Sequence, residues 1–505
     1  MIHLRVQVIL GLFILIGNSI YGQIFVGEVA TPNGFQYLKL EVKADTIFVS
    51  LPYEFRQTFP FNIKAEAGND FTVKARAEQR TFQVKRVEFG QIELATNFTG
   101  TPQTITLMRQ LEAMEEGDLD KYTGNFVDKN GKRAIVYVRN GYLHLMSPYA
   151  EQTVSLKPVS KNKFWSTSGE TTEFFETSKN RFQALSITNR VGQQIKLERS
   201  HDYSVKEDWI LVDEDSIYVN IFIPNLKGRK PACLLLPGGG GQPQMENFEY
   251  EARFFAAHGM VAMTFDKASV GKSNGQNFEN YTFKEKALRY QQLFDYLKSH
   301  LEVDPKKVGL HGPSEGGRLA LMMGINLGGE VAFINATAAP LMTAIEGQLY
   351  AANHYSRNIG MTEEEIVSTL MIWKNYYSGI LNEKIDTANF ATIRKLQAKY
   401  NRAFLPPTSD RIPLSPKKED LMDNTVVADA NKLVAPVFLQ YGENDQRVNP
   451  LGSLQNFYQH ISDRLDVTAE LYKRGNHSMM TPEFQICSGY AYDKVKWLKS
   501  IGIVD

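Results

Sequence analysis

Val308-Gly309-Leu310-His311-Gly312-Pro313-Ser314-Glu315-Gly316-Gly317 is the stretch that decides the architecture. An apolar run, Val308–Leu310, has the length and composition of a buried strand, and a helical pattern begins at about Gly317. Between them lies Gly-x-Ser-x-Gly, which in a strand–turn–helix context predicts a nucleophile elbow. A serine at the tip of so tight a turn projects its hydroxyl out of the sheet. Glycines on either side let neighbouring backbone approach. The helix that follows directs its positive dipole end at the place where an oxyanion would form.

Working outward, apolar runs alternate with helical segments from about Ser204. The runs are Ala232–Leu236, Val261–Phe265, Val308–Leu310, Val331–Asn335, Val437–Tyr441 and Val467–Tyr472. The helical stretches are Glu246–His258, Phe283–His300, Gly317–Asn326 and Leu451–Ile461. That rhythm predicts a mostly parallel, doubly wound sheet with helices on both faces. Its functional residues belong just beyond the carboxyl ends of the strands.

A serine hydroxyl needs a base, and the base an orienting carboxylate. With a Gly-x-Ser-x-Gly elbow the chain order is serine, acid, histidine. Downstream of Ser314, Tyr441-Gly442-Glu443-Asn444-Asp445 follows a strand, making Asp445 the candidate acid with Glu443 as the alternative. Of His354, His460 and His477, the first precedes the acid and the second sits in a helical pattern. His477, in the Gly475-Asn476-His477 loop, is therefore the candidate base. Two backbone amides would complete an oxyanion hole. One belongs to Glu315, the residue after the nucleophile; the other to Gly239, with Gly238 and Gly240 as alternatives, in Pro237-Gly238-Gly239-Gly240-Gly241, where no side chain obstructs an inward-pointing N–H. Gly271-Lys272-Ser273 resembles the end of a phosphate-binding loop, but that motif needs glycine where Asp266 stands.

Together, Asp266-Lys267 with Gly271-Lys272-Ser273, the Gly-x-Ser-Glu-Gly-Gly elbow, and the Gly442–Asp445 and Gly475–His477 loops resemble the serine-esterase branch of the α/β-hydrolases. The branch includes exported bacterial enzymes similar to prolyl oligopeptidase catalytic domains and dienelactone hydrolases, although the latter use cysteine where this chain has Ser314. The resemblance covers residues 201–505 and implies hydrolysis of small-molecule carboxylic esters with short acyl groups, without metal or organic cofactor. Departures are Pro313 and Pro237, where histidine is common. A prolyl-oligopeptidase-like peptidase and an inactive ligand-binding scaffold are the alternatives.

The rest of the chain sets the context. Residues 23–110 alternate with period two, as in Leu38-Lys39-Leu40-Glu41-Val42-Lys43, and predict an antiparallel β domain. A short amphipathic stretch, Met108–Glu116, is expected to link it to a second β unit over residues 111–200, a small barrel or sandwich, with Asn130-Gly131 and Asn140-Gly141 as two-residue hairpin turns. Residues 341–426 read as a helical lid insertion. Within it Thr362-Glu363-Glu364-Glu365 is a capping box, and Tyr350, Tyr355, Trp373, Tyr376 and Tyr377 are candidates to cover the serine. Met1–Gly22, with Arg5 ahead of the apolar Val8–Gly17, reads as a signal peptide, implying export to the periplasm or the medium. Lys plus Arg equals Asp plus Glu at 56 each, which disfavours nucleic-acid binding. Cys233 and Cys487, the only cysteines, make no disulfide framework. No later segment is long enough to span a membrane, and oligomeric state is not legible.

Overall fold

The computed structural model describes strand segments between residues 23 and 110, residues 116–200 with short breaks, and residues 202–241, 245–400, 403–480 and 486–504. The leader expected over residues 1–22 lies outside the described residues. The chain divides into two compact units, residues 1–200 with 480–486, and residues 201–479 with 487–505.

The first unit contains an eight-stranded antiparallel sheet and a closed eight-stranded barrel. In the sheet, Gly34–Lys43 pairs with both Gln23–Thr31 and Thr46–Ser50. The period-two pattern has its physical counterpart in Leu38 and Leu40, both buried. Met108 does not enter a linker: the strand Gln103–Gln110 includes it, paired with Gln91. The barrel closes through Gly124–Val127, which pairs with Arg133–Arg139 on one side and Gln194–Ser200 on the other. Its interior is aromatic, with Tyr122 stacked on Phe182 at 4.7 Å and edge-on to Phe174 at 5.0 Å. Arg139 faces Tyr142 across the second Asn-Gly pair, whose own two residues lie outside the described set. Asn130-Gly131 departs from a two-residue turn. Val127 pairs with Arg133, and the Asp128 carboxylate accepts the Asn130 and Lys132 amides, both at 2.8 Å. The aspartate side chain organises a longer loop than the dipeptide alone suggests.

The second unit is an eight-stranded sheet ordered Tyr203–Val212, Asp215–Pro224, Val261–Phe265, Lys230–Leu235, Val303–Pro313, Ile334–Thr337, Val437–Gly442 and Val467–Tyr472. The strands from Val261–Phe265 onward along the sheet are parallel. The antiparallel hairpin Tyr203–Pro224 forms one edge. The six apolar runs read from sequence are all present, except that the fourth strand begins at Ile334 rather than Val331, which caps a short 3-10 turn. Because the central strands are covered on both faces, they are buried throughout: Val261–Phe265 and Val437–Gly442 have no exposed residue. The sheet and its helices share a continuous apolar core that includes Leu234, Met263, Leu310, Leu319, Ile334 and Leu439. Burying each such side chain contributes about 1.5–3 kcal/mol.

The insertion before Val437 is helical, with Ala344–Asn358, Glu363–Leu381 and Phe390–Lys399. Its second helix starts at the expected capping box, Thr362 and Glu365 exchanging both hydrogen bonds. Trp373, Tyr376 and Tyr377 are buried. They pack with Ala352, Ile380, Ile385 and Leu421 into the insertion's own core, and Trp373 lies parallel to Tyr377 at 5.6 Å. Aromatics spaced for one helix face have been used to hold the helices together. Among the described residues no helix is long and apolar enough to cross a membrane.

Candidate active site

Ser314 ends the strand Val303–Pro313 and precedes the helix Glu315–Leu327. Its backbone is at φ 54°, ψ −122°, a conformation that costs a non-glycine residue about 1–3 kcal/mol. The surroundings enforce it: the Ser314 amide donates to the Thr337 carbonyl at 2.7 Å, and its carbonyl accepts the Arg318 amide. The turn is so tight that a Cβ on Gly312 would lie 2.5 Å from the Gly316 carbonyl carbon, and one on Gly316 would lie 2.2 Å from the Leu236 carbonyl oxygen. Only glycine at both positions lets strand, turn and oxyanion loop converge. The Ser314 hydroxyl is not spent on capping its own helix.

Asp445 and His477 come together beyond the ends of neighbouring strands. His477 Nδ1 lies 2.8 Å from Asp445 Oδ2. The other carboxylate oxygen accepts the amides of Arg447 at 2.7 Å and Val448 at 2.8 Å. Asp445 is 1% exposed, so its charge is held by these donors rather than by water. The loops themselves interlock: a Cβ on Gly442 would come within 2.3 Å of the Gly475 carbonyl oxygen. Glu443, the other acid considered, accepts the Arg474 amide at 3.0 Å instead. His460, in the turn just past the helix Pro450–Tyr458, bonds the carbonyl of Asn456. His354 packs tilted against Tyr350, with ring centroids 4.3 Å apart.

The polyglycine loop runs beside the elbow. A Cβ on Gly238 would be 3.4 Å from the Pro313 carbonyl oxygen and 3.8 Å from Ser314 Cβ, and one on Gly239 would be 3.3 Å from Glu315 Oε2. The Glu315 amide, first in its helix, has no intrahelical acceptor. The Glu315 carboxylate is paired with Lys286 at 2.9 Å.

Four groups support the site in ways that the sequence pattern does not reveal. Arg318, one turn after Ser314 and 2% exposed, donates to the carbonyls of Pro340 and Met342 and, at 3.3 Å, to both the carbonyl and the carboxylate of Asp423. One guanidinium thus ties both roots of the insertion to the nucleophile helix. Tyr350 donates from the insertion's first helix to the Asp445 carbonyl at 2.8 Å. His311, three residues before Ser314, is wholly buried with Nε2 3.0 Å from Glu251, and Glu251 is also paired with Lys494 and accepts from Tyr490. Lys267 is buried against the carbonyls of Gly238 and Gly240. Spacing could have flagged Arg318, since i and i+4 share a helix face; the others depend on contacts between segments distant in sequence. Among the described residues no cluster of ligating side chains could hold a metal ion.

A parallel sheet with a serine elbow, and an aspartate–histidine pair on its last two strands, defines an α/β-hydrolase. The family model described as serine aminopeptidase, S33, matches residues 229–483, just over half of the 505 residues. The chain belongs to that family. The thiohydrolase apmlB of Arthrinium phaeospermum is 28% identical over 108 residues, 21% of this chain and 35% of that protein. The chain therefore spans only about a third of that relative's length. Among solved structures, the α/β-hydrolase GrgF from Penicillium sp. sh18 is similar at 16% identity and a TM-score of 0.39, covering 59% of this chain and 97% of its own. Est1E from Butyrivibrio proteoclasticus matches at 11% identity and a TM-score of 0.38, covering 58% of this chain and 98% of its own.

Proposed function

We propose that this protein hydrolyses carboxylic esters of small molecules bearing short acyl groups, through Ser314, His477 and Asp445. The observation that carries the proposal is the hydrogen-bonded Asp445–His477 pair in a molecule whose Ser314 is held in a strained elbow. Ser314 Oγ attacks the acyl carbon while His477 Nε2 takes its proton. The Asp445 carboxylate keeps the Nδ1 proton in place and stabilises the imidazolium. The amides of Gly239 and Glu315 donate to the oxyanion. Collapse expels the alcohol, which receives the proton from His477, and leaves an acyl-enzyme. Water, deprotonated by His477, then releases the acid and restores Ser314.

The family description favours a second reading, cleavage of peptides from a free amino terminus. Such an enzyme needs an anion for the substrate ammonium. The carboxylate next to the nucleophile, Glu315, is already neutralised by Lys286, which supports the ester over the peptide. Export follows from the Met1–Gly22 leader pattern as part of the proposal. N-terminal sequencing of the protein from a periplasmic extract should find a start near Gln23, and an intact Met1 would contradict it.

The test is turnover of p-nitrophenyl esters from acetate to dodecanoate, beside an aminoacyl p-nitroanilide, by the wild type and Ser314→Ala. Activity greatest on the shortest esters, and lower by about 10⁴-fold or more in the variant, is expected. Faster turnover of the anilide would favour the peptidase, and ester activity surviving in Ser314→Ala would refute the mechanism.

A further inference from the structure

We propose that Lys267 is a positioning residue for the oxyanion hole, setting the direction of the Gly239 amide by holding the carbonyls on either side of it. The inference rests on the serine-hydrolase reading of Ser314 and deepens it. Lys267 follows the strand Val261–Phe265 and is completely buried. Burying an ammonium is costly unless its three N–H groups are matched. Here they are: Nζ donates to the Gly238 carbonyl at 2.5 Å and to the Gly240 carbonyl at 2.8 Å, and it lies 4.2 Å from the centroid of the Phe278 ring.

The peptide bond supplies the consequence. In a planar trans peptide the C=O of one residue and the N–H of the next point in opposite directions. Pulling the Gly238 carbonyl toward Lys267 therefore turns the Gly239 N–H away from it. Gly238 is the point where the loop passes Ser314, its Cβ direction being 3.8 Å from Ser314 Cβ. The second bond, to Gly240, fixes the other flank. Without it, a run of four glycines would be free to rotate the donor out of place. A cation on the carbonyl also polarises the amide, strengthening its N–H as a donor.

The charge state of Lys267 is itself sensitive. Burial and the neighbouring Lys286 lower its pKa to about 8, against the opposing pull of Glu315 and Glu279. Asp266, beside it in sequence, directs its carboxylate at the Lys272 amide instead. Deprotonation leaves an amine with weaker donors, so the oxyanion hole should slacken as pH rises through about 8.

The experiment is the second-order rate at which a fluorophosphonate probe labels Ser314, which demands an oxyanion hole whatever the natural substrate. It would be measured from pH 6 to 10 in the wild type, Lys267→Met and Lys267→Arg, with the labelled residue identified by peptide mass. Removing one oxyanion donor typically costs about 10²–10³ in rate. A displaced donor should cost at least about tenfold, so Lys267→Met is expected to label tenfold or more slowly and to lack the alkaline fall of the wild type. Lys267→Arg, whose guanidinium does not titrate in this range, should recover labelling and stay flat above pH 8. A Lys267→Met rate within tenfold of wild type, or an alkaline fall that persists in it, overturns the proposal. Should Lys267→Met not fold, Lys267→Arg decides alone: a fall near pH 8 unchanged from wild type overturns the proposal. A wild type that is not labelled at Ser314 at all would instead sink the underlying serine-hydrolase site.

Discussion

Replacing Asp445 by asparagine isolates the role of its charge from the role of its shape. Oδ1 accepts the Arg447 and Val448 amides, and an asparagine carbonyl oxygen can continue to do so. The turn and the burial of the side chain should survive. What changes is Oδ2, which receives the His477 Nδ1 proton at 2.8 Å. The asparagine NH₂ placed there is a donor, so Nδ1 must become the acceptor and the proton moves to Nε2. A histidine protonated at Nε2 cannot take the proton of Ser314. The same tautomer switch in the Ser-His-Asp template lowers kcat by about 10⁴, which corresponds to about 5 kcal/mol of transition-state stabilisation. The assay is kcat on the best ester found for the wild type, with thermal unfolding in parallel. A fall of three to five decades with unchanged KM and an unfolding midpoint within about 3 °C is expected. Retention of more than about a tenth of wild-type kcat would refute the assignment. So would a comparable loss in Glu443→Gln, because Glu443 contacts the Arg474 amide and not the imidazole.

Two further predictions concern the supports. Arg318→Met strips donors from Pro340, Met342 and Asp423 at once, and should cost about 3–5 kcal/mol, lowering the unfolding midpoint by about 10 °C; proteolysis should then begin within the insertion, and a midpoint unchanged within 2 °C would contradict the clamp. Lys494→Met leaves Glu251 buried without its main counter-charge and should cost about 3–5 kcal/mol near neutrality. Burial raises the Glu251 pKa, but Lys494 and His311 together hold it well below the usual carboxylate range. In the wild type that stabilisation is present above the ordinary glutamate pKa and lost as pH falls through the depressed value. Without Lys494 burial dominates and the folded pKa rises, so the variant's deficit should narrow as acid protonates Glu251. Chemical denaturation at several pH values measures it, and a pH-independent deficit would count against the pairing.

Much of this arrangement could be read from local sequence because its physics is local. Gly312, Ser314 and Gly316 sit within five residues, and the strain that defines the elbow is set there. Strand ends place Asp445 and His477, since a buried apolar run announces where a loop must begin. Choosing between Glu443 and Asp445 required geometry, because both lie in one loop and only the register decides which faces His477. Other features were illegible for related reasons. The edge hairpin Tyr203–Pro224 hides in the sequence because its outer strand is largely exposed, with Trp209 and Leu211 facing solvent. Trp373, Tyr376 and Tyr377 have a helix-face spacing that suits a substrate wall and a core equally, and the packing partners chose the core. Lys267 and Arg318 look like ordinary cations in one dimension. Their partners are carbonyls contributed by segments 22 to 105 residues away.

Mass spectrometry of the intact protein after fluorophosphonate treatment tests whether Ser314 is the nucleophile. A single adduct is expected, mapped to the peptide containing Gly312–Gly316, lost in Ser314→Ala and suppressed in His477→Ala. An unmodified wild-type protein, or an adduct that survives Ser314→Ala, would contradict it.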